Sequence, residues 1–239
     1  VAHRGDGRPE RGEGPGEEEQ RVVESEHTVV LAAVPALAPP RAATIMAAMR
    51  RIYLDHHATT PVLPEVAEAM APFLREAFAD PWIAVYREAS EAAEAVEEAR
   101  ARVAALVGAR PSEVVLTSGA TEANNHAIKG ALGSRKRGRD RLVTSAVEHA
   151  SVLEPCSWAA RAGVGVLELP VDGLGRVDPG AVREALETPS FLVSIQLASG
   201  EIGTIQPIRD IAALTRERGA LLHVDAAQAV GRIPVDFAT

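Results

Sequence analysis

Residues 191–228 read FLVSIQLASGEIGTIQPIRDIAALTRERGALLHVDAAQ, and the pattern of this stretch decides the fold. Phe191–Ile195 and Leu221–Val224 are short apolar runs of strand length. Between them, Ile208–Arg218 carries apolar residues at helical spacing. A strand, a helix and a second strand in this order form a βαβ unit, whose strands pair in parallel. Polar segments follow both strands: Ser199-Gly200-Glu201 after the first and Asp225-Ala226-Ala227-Gln228 after the second. In open α/β sheets, ligands bind just outside the carboxyl ends of the strands.

The same alternation extends towards the N-terminus. Val114–Thr117, Leu142–Thr144 and Val164–Leu169 read as further strands. Helical stretches lie near Thr121–Leu132, Ser151–Ala162 and Pro179–Leu186, the last opened by an Asp178 cap and a first-turn proline. Upstream, Val66, Met70, Phe73 and Leu74 recur at helical spacing, as do Ala92, Val96, Ala99, Val103 and Leu106. The expected fold is therefore α/β, a mostly parallel sheet with helices on both faces, over residues 49–239. Residues 1–48 differ. Val1 to Glu26 is rich in Gly, Arg and Glu with little to bury, and Thr28 to Ala43 is apolar but short and broken by Pro35, Pro39 and Pro40. A disordered arm, or a reading frame extended upstream of a start at Met46 or Met49, is expected there.

Composition narrows the function classes. A net charge of −8 in 239 residues argues against nucleic acid or an anionic membrane as the main partner. The basic run Arg135–Arg141 has no interleaved aromatics and reads as a solvated loop. Cys156 is the single cysteine, so no intrachain disulfide forms and a reducing cytoplasm is expected. It falls in a helical stretch and reads as a buried structural residue rather than a nucleophile. No Cys/His cluster has metal-ligand spacing, so no metal site is expected.

Four polar segments fall at strand ends, Ser199-Gly200-Glu201 among them, and the other three each have two readings. Thr117–Glu122 is a strand, a tight turn and a helix start; it is either a plain capped helix or a phosphate cradle of free N–H groups. Glu148-His149 offers an imidazole that can stack on a flat ring or move a proton, or a loop histidine that is merely hydrogen-bonded. Asp225 can N-cap the following turn, or hold a pyridinium nitrogen protonated; Gln228 is a surface amide or a partner for a ring hydroxyl. Convergence of the four segments is what suggests a site.

Taken together, the motifs carry a resemblance. Tyr53–Pro61 (YLDHHATTP), Thr117–Asn125 (TSGATEANN), Glu148-His149, Glu201–Thr204 and His223–Gln228 (HVDAAQ) resemble the cysteine desulfurase family in order and spacing, from about Ile52 to Asp236. The resemblance implies the large domain of a pyridoxal-phosphate (PLP) enzyme of the class V aminotransferase group. Such enzymes are homodimers that take sulfur from L-cysteine, leaving alanine and an enzyme persulfide that passes to a sulfur acceptor or scaffold protein for iron–sulfur clusters or tRNA thiolation. It further implies that Ala120 and Thr121 form the phosphate turn, that His149 stacks on the ring and assists proton transfer, that Asp225 faces the pyridine nitrogen and that Gln228 meets the ring hydroxyl. A selenocysteine lyase, another class V lyase or a non-catalytic remnant would share these motifs. Two departures stand out. Ser199-Gly200 occupies the place of two asparagines, the second of which reaches the cofactor hydroxyl, and Phe78–Ile83 replaces a Gly-Asn-Pro-Ser-Ser-like turn. The family's Schiff-base lysine and catalytic cysteine have no counterpart, since the only lysines are Lys129 and Lys136; the expectation is a chain inactive on its own.

Overall fold

The computed structural model describes residues 52–83 and 85–237, so the arm expected at 1–48 lies outside the described residues. Among the described residues, six helices and four strands follow in chain order: α1 (Pro64–Arg75), α2 (Arg87–Leu106), α3 (Ala120–Gly133), β1 (Arg141–Ser145), α4 (Ala150–Arg161), β2 (Gly165–Leu169), α5 (Pro179–Ala185), β3 (Ser190–Ser194), α6 (Ile208–Arg218) and β4 (Leu221–His223). A short 3-10 turn, Pro111–Glu113, precedes α3. All pairings are parallel and the strand order is β2-β1-β3-β4.

That order follows from burial on two faces. β1 and β3 are buried almost throughout, as central parallel strands must be when helices cover both sides. Because alternate side chains point to opposite faces, neighbouring residues of one strand serve different cores. Leu142 and Leu192 pack with Ile128 and Leu132 of α3 and with Val152, Cys156 and Ala159 of α4. Val143 and Val193 pack with Val182 and Ala185 of α5 and with Ile211 and Leu214 of α6. Each fully buried aliphatic side chain of this kind contributes about 1.5–3 kcal/mol.

The caps explain where two of the helices begin. The Asp178 carboxylate accepts the Gly180 N–H at the start of α5, and Pro179 at the first position needs no partner. The His149 side chain caps α4 by accepting the Ser151 N–H. At the far end of α6, Gly219 takes a left-handed conformation, φ 63°, that lets the chain turn directly into β4.

One expectation is corrected. Val114–Thr117 is not a strand: Val114 is extended (φ −95°, ψ 124°), but no strand among the described residues pairs with it. An extended run becomes a strand only when a neighbour supplies the ladder, and here the Arg100 guanidinium donates to the Val114 carbonyl instead. The helix expected from the spacing of Val66, Met70, Phe73 and Leu74 is present as α1, and all four side chains are exposed.

Sheet order also positions the site. The chain leaves β1 towards β2 on one side and returns to β3 on the other, so the direction of winding reverses between β1 and β3. The crevice at such a reversal, beyond the carboxyl ends of the two strands, is where open α/β sheets bind ligands.

Candidate functional site

A cleft of about 410 Å³ opens at that reversal, a volume suited to a small ligand. The loop after β1 contributes Ala146 to His149, the loop after β3 contributes Gln196 and Ala198–Ile202, and the loop after β4 contributes Asp225, Ala227 and Gln228. The backbone ladder between β3 and β4 runs on past the strands, with the Leu197 N–H donating to the Asp225 carbonyl at 2.8 Å. This continuation holds the second and third loops side by side. Ala120 enters from the first turn of α3, and His57 from the N-terminal segment.

Of the residues anticipated from sequence, the cleft brings together Ala120, His149, Gly200, Asp225 and Gln228. Thr121 stands one residue further along α3, is exposed and does not line the cleft. The turn before it is tight. Gly119 caps α3 with φ 154°, a conformation that side chains disfavour, and Ser118 donates both its N–H and its hydroxyl to the Glu122 carboxylate. The first-turn N–H groups of α3 have no partner one turn earlier, as at any helix start, which leaves them available to an anion.

Asp225 is held from two directions. Its Oδ1 accepts the Ala227 N–H at 3.0 Å and its Oδ2 accepts Asn124 Nδ2 at 2.9 Å. The carboxylate organises its own turn and also lines the cleft. Asn124 is buried on α3 and spends its second amide hydrogen on Ser151 Oγ, also at 2.9 Å. Ser151 Oγ lies 2.8 Å from His149 Nδ1, and the Ser151 N–H donates to the same nitrogen. Nδ1 is thus an acceptor, which puts the proton of the neutral imidazole on Nε2. A continuous chain of hydrogen bonds joins Asp225 to His149 through Asn124 and Ser151.

Glu148 is a different kind of acid. It is buried, its Oε1 accepts from Ser145 Oγ and the Gln196 N–H, and its Oε2 finds no hydrogen-bond partner among the described residues. Burial pushes its pKa up to about 7, and the neighbouring Asp225 charge pushes the same way. A second unpaired atom is Gln228 Oε1, likewise buried. Gln228 Nε2 reaches the His57 carbonyl at 3.5 Å, a long contact.

Sequence reasoning missed Asn124, Ser151, Glu148 and His57 as site members. Asn124 could have been found, since it lies four residues after Ala120 and so on the same helix face. The remainder depend on contacts across 27 to 171 positions in the chain. Neither lysine lines the cleft; the Lys129 ammonium sits 5.3 Å from the centre of the Trp158 ring. Cys156 is 2% exposed and its thiol is pushed up to about 11 by burial, so it is no nucleophile. Among the described residues no group of three His, Cys, Asp or Glu could hold a metal ion, and no helix is long and apolar enough to cross a membrane.

The sequence model of the aminotransferase class-V family matches residues 52–239. The chain is 44% identical over 187 residues to the cysteine desulfurase IscS of Dictyoglomus turgidum, a match spanning 78% of this chain and 47% of that protein. It is 44% identical over 189 residues to the mitosomal cysteine desulfurase of Encephalitozoon cuniculi, spanning 78% and 44%. Among solved structures, a NifS-like protein superposes with a TM-score of 0.76 at 35% identity, covering 79% of this chain and 52% of the other. SspA in complex with cysteine gives 0.74 at 38%, covering 78% and 53%. The chain spans about half the length of the curated relatives it matches.

Proposed function

The chain belongs to the aminotransferase class-V family, and from that premise we propose that its cleft is the PLP site of a cysteine desulfurase. The observation that carries this reading is the Asp225 carboxylate, anchored by Asn124 and the Ala227 N–H and connected through Ser151 to His149. The donor set fits the cofactor. A carboxylate matches a protonated ring nitrogen, the buried and unpaired Gln228 Oε1 is ready to accept from a ring hydroxyl, and the first turn of α3 presents N–H groups for a phosphate at Ala120 and Thr121.

When bound, PLP supplies an electron sink for bonds at the α-carbon of an amino acid. This chain's residues do the rest of the holding. With PLP bound, Asp225 would keep the ring nitrogen protonated, and its contact with Asn124 would stop that carboxylate from swinging away. The Ser151 contacts at Nδ1 leave His149 with its proton on Nε2, so the imidazole can stack on the ring and pass that proton at the cleft. In a complete enzyme of this kind L-cysteine would be the substrate, its sulfur passing to a reactive cysteine thiol as a persulfide and leaving alanine, and the persulfide sulfur would go on to an acceptor or scaffold protein; a homodimer in the cytoplasm is the expected assembly. Among the described residues the cleft holds neither an amine nor a thiol, since Lys129, Lys136 and Cys156 do not line it. Binding by this chain is accordingly reversible and unaccompanied by turnover.

PLP titration of the 239-residue chain, followed by absorbance and by dialysis, tests the reading. Saturable binding is expected, weakened at least about tenfold by Asp225→Ala, the scale of one lost charge-assisted contact. Borohydride should trap no adduct and cysteine should yield no alanine. Absence of saturable binding at millimolar PLP refutes the reading.

A further inference from the structure

At residue 200 the chain carries no side chain, and the reason is visible. A Cβ built on Gly200 would lie 2.2 Å from His57 Cδ2, 2.6 Å from His57 Nε2 and 3.1 Å from Gln228 Cδ. No real Cβ comes so close, so the imidazole ring of His57 already fills the volume that a side chain at 200 would need. Glycine here answers to a neighbour's bulk; Gly200 is not among the glycines with positive φ. His57 is also held in place. Arg232 donates to the His56 carbonyl at 3.2 Å and Gln228 to the His57 carbonyl at 3.5 Å, so the loop after β4 grips the backbone on both sides of that peptide.

We propose that His57 is a ligand-binding residue of the cleft, supplying from the N-terminal segment the polar group that Gly200 cannot. The inference rests on the PLP reading above. His57 Nε2 and Gln228 Cδ both lie beside Gly200, 2.6 and 3.1 Å from where its Cβ would be, and Gln228 Oε1 is buried with no hydrogen-bond partner among the described residues. An imidazole N–H adds a donor where the amide oxygen can only accept, and the two together suit a ring oxygen that is deprotonated or shares its proton. The opposite nitrogen, Nδ1, lies 4.0 Å from the Asp55 carboxylate.

The test is a binding cycle on the 239-residue chain using PLP and 3-deoxypyridoxal phosphate, which lacks the ring hydroxyl. His57→Ala is expected to weaken PLP about tenfold, the scale of one hydrogen bond to a charged or polarised oxygen, and to leave the deoxy compound's affinity unchanged. Gly200→Asn alone is expected to weaken PLP by collision with the ring, and the double variant His57→Ala/Gly200→Asn to recover most of the loss. Circular dichroism of each variant separates these effects from misfolding, and His57 is exposed enough for its removal to leave the core intact. If wild type binds PLP and His57→Ala binds it equally well, or loses both compounds alike, the assignment of His57 is wrong and the cofactor reading stands. If wild type binds neither compound, both fall.

Discussion

Replacing Glu148 by Gln should change how the fold's stability depends on pH, by an amount the structure allows to be worked out. In the folded chain burial holds the Glu148 proton up to about pH 7, while an unfolded chain releases it near 4.5. Between those values the folded state carries the extra proton, so this residue's effect is to lower stability as pH rises from 4.5 towards 7, with the full loss present above 7. The gap amounts to on the order of 3 kcal/mol at about 1.4 kcal/mol per tenfold in proton affinity. Glutamine keeps an Oε1 for Ser145 and the Gln196 N–H and has no charge to bury. Guanidinium unfolding of both chains at pH 5, 6, 7 and 8 is the assay. His223, whose pKa is lowered mainly by burial, pushes the other way in acid but is common to both chains and cancels in the difference. Relative to wild type, Glu148→Gln should gain about 2–3 kcal/mol between pH 5 and pH 8. A difference that stays flat within about 0.5 kcal/mol would refute the claim that Glu148 is buried without a charge partner.

Three further outcomes follow from the same geometry. Asn124→Ala should cost about 1–3 kcal/mol in chemical denaturation, since it strips a donor from both Asp225 and buried Ser151. Asn124→Asp, which sets a second carboxylate against Asp225, should be worse at pH 8 than at pH 5; equal losses at the two pH values would count against the contact. Cys156 should react with a thiol-specific chromogenic reagent only when the chain is unfolded, because its thiol is buried and raised to about 11; rapid labelling of native protein would contradict this. Leu142→Ala, at a fully buried position between α3 and α4, should cost about 2–5 kcal/mol, whereas Leu74→Ala on exposed α1 should change stability by less than about 0.5 kcal/mol.

The helices from α3 onward were legible to within a residue, and α6 to the residue, because caps and apolar spacing are local signals; α2 begins five residues before its apolar stripe. The four paired strands were equally plain. Val114–Thr117 carried the same apolar signal and still failed as a strand, since pairing is a property of two segments and a sequence pattern describes one. The residues anticipated in the cleft, Ala120, His149, Asp225 and Gln228, could be named in advance because each sits at a helix start or in the loop after a strand. Thr121 was anticipated on the same ground and lies outside the cleft lining, a one-residue difference set by the rotation of α3.

By itself, then, the sequence determined the order of strands and helices, the parallel α/β class, the loops that carry the site and the family that owns the motifs. Hydrophobic period, capping chemistry and motif spacing are written along the chain, and each acts over a few residues. Only the tertiary structure decided that Asn124 grips Asp225 across 101 positions, that Ser151 sets the His149 tautomer, that Glu148 lies in surroundings that withhold its charge, and that His57 fills the space at Gly200. Those are consequences of strand order, which places segments remote in sequence within hydrogen-bonding distance. They also depend on burial, which sets the energy of a charge by everything packed around it.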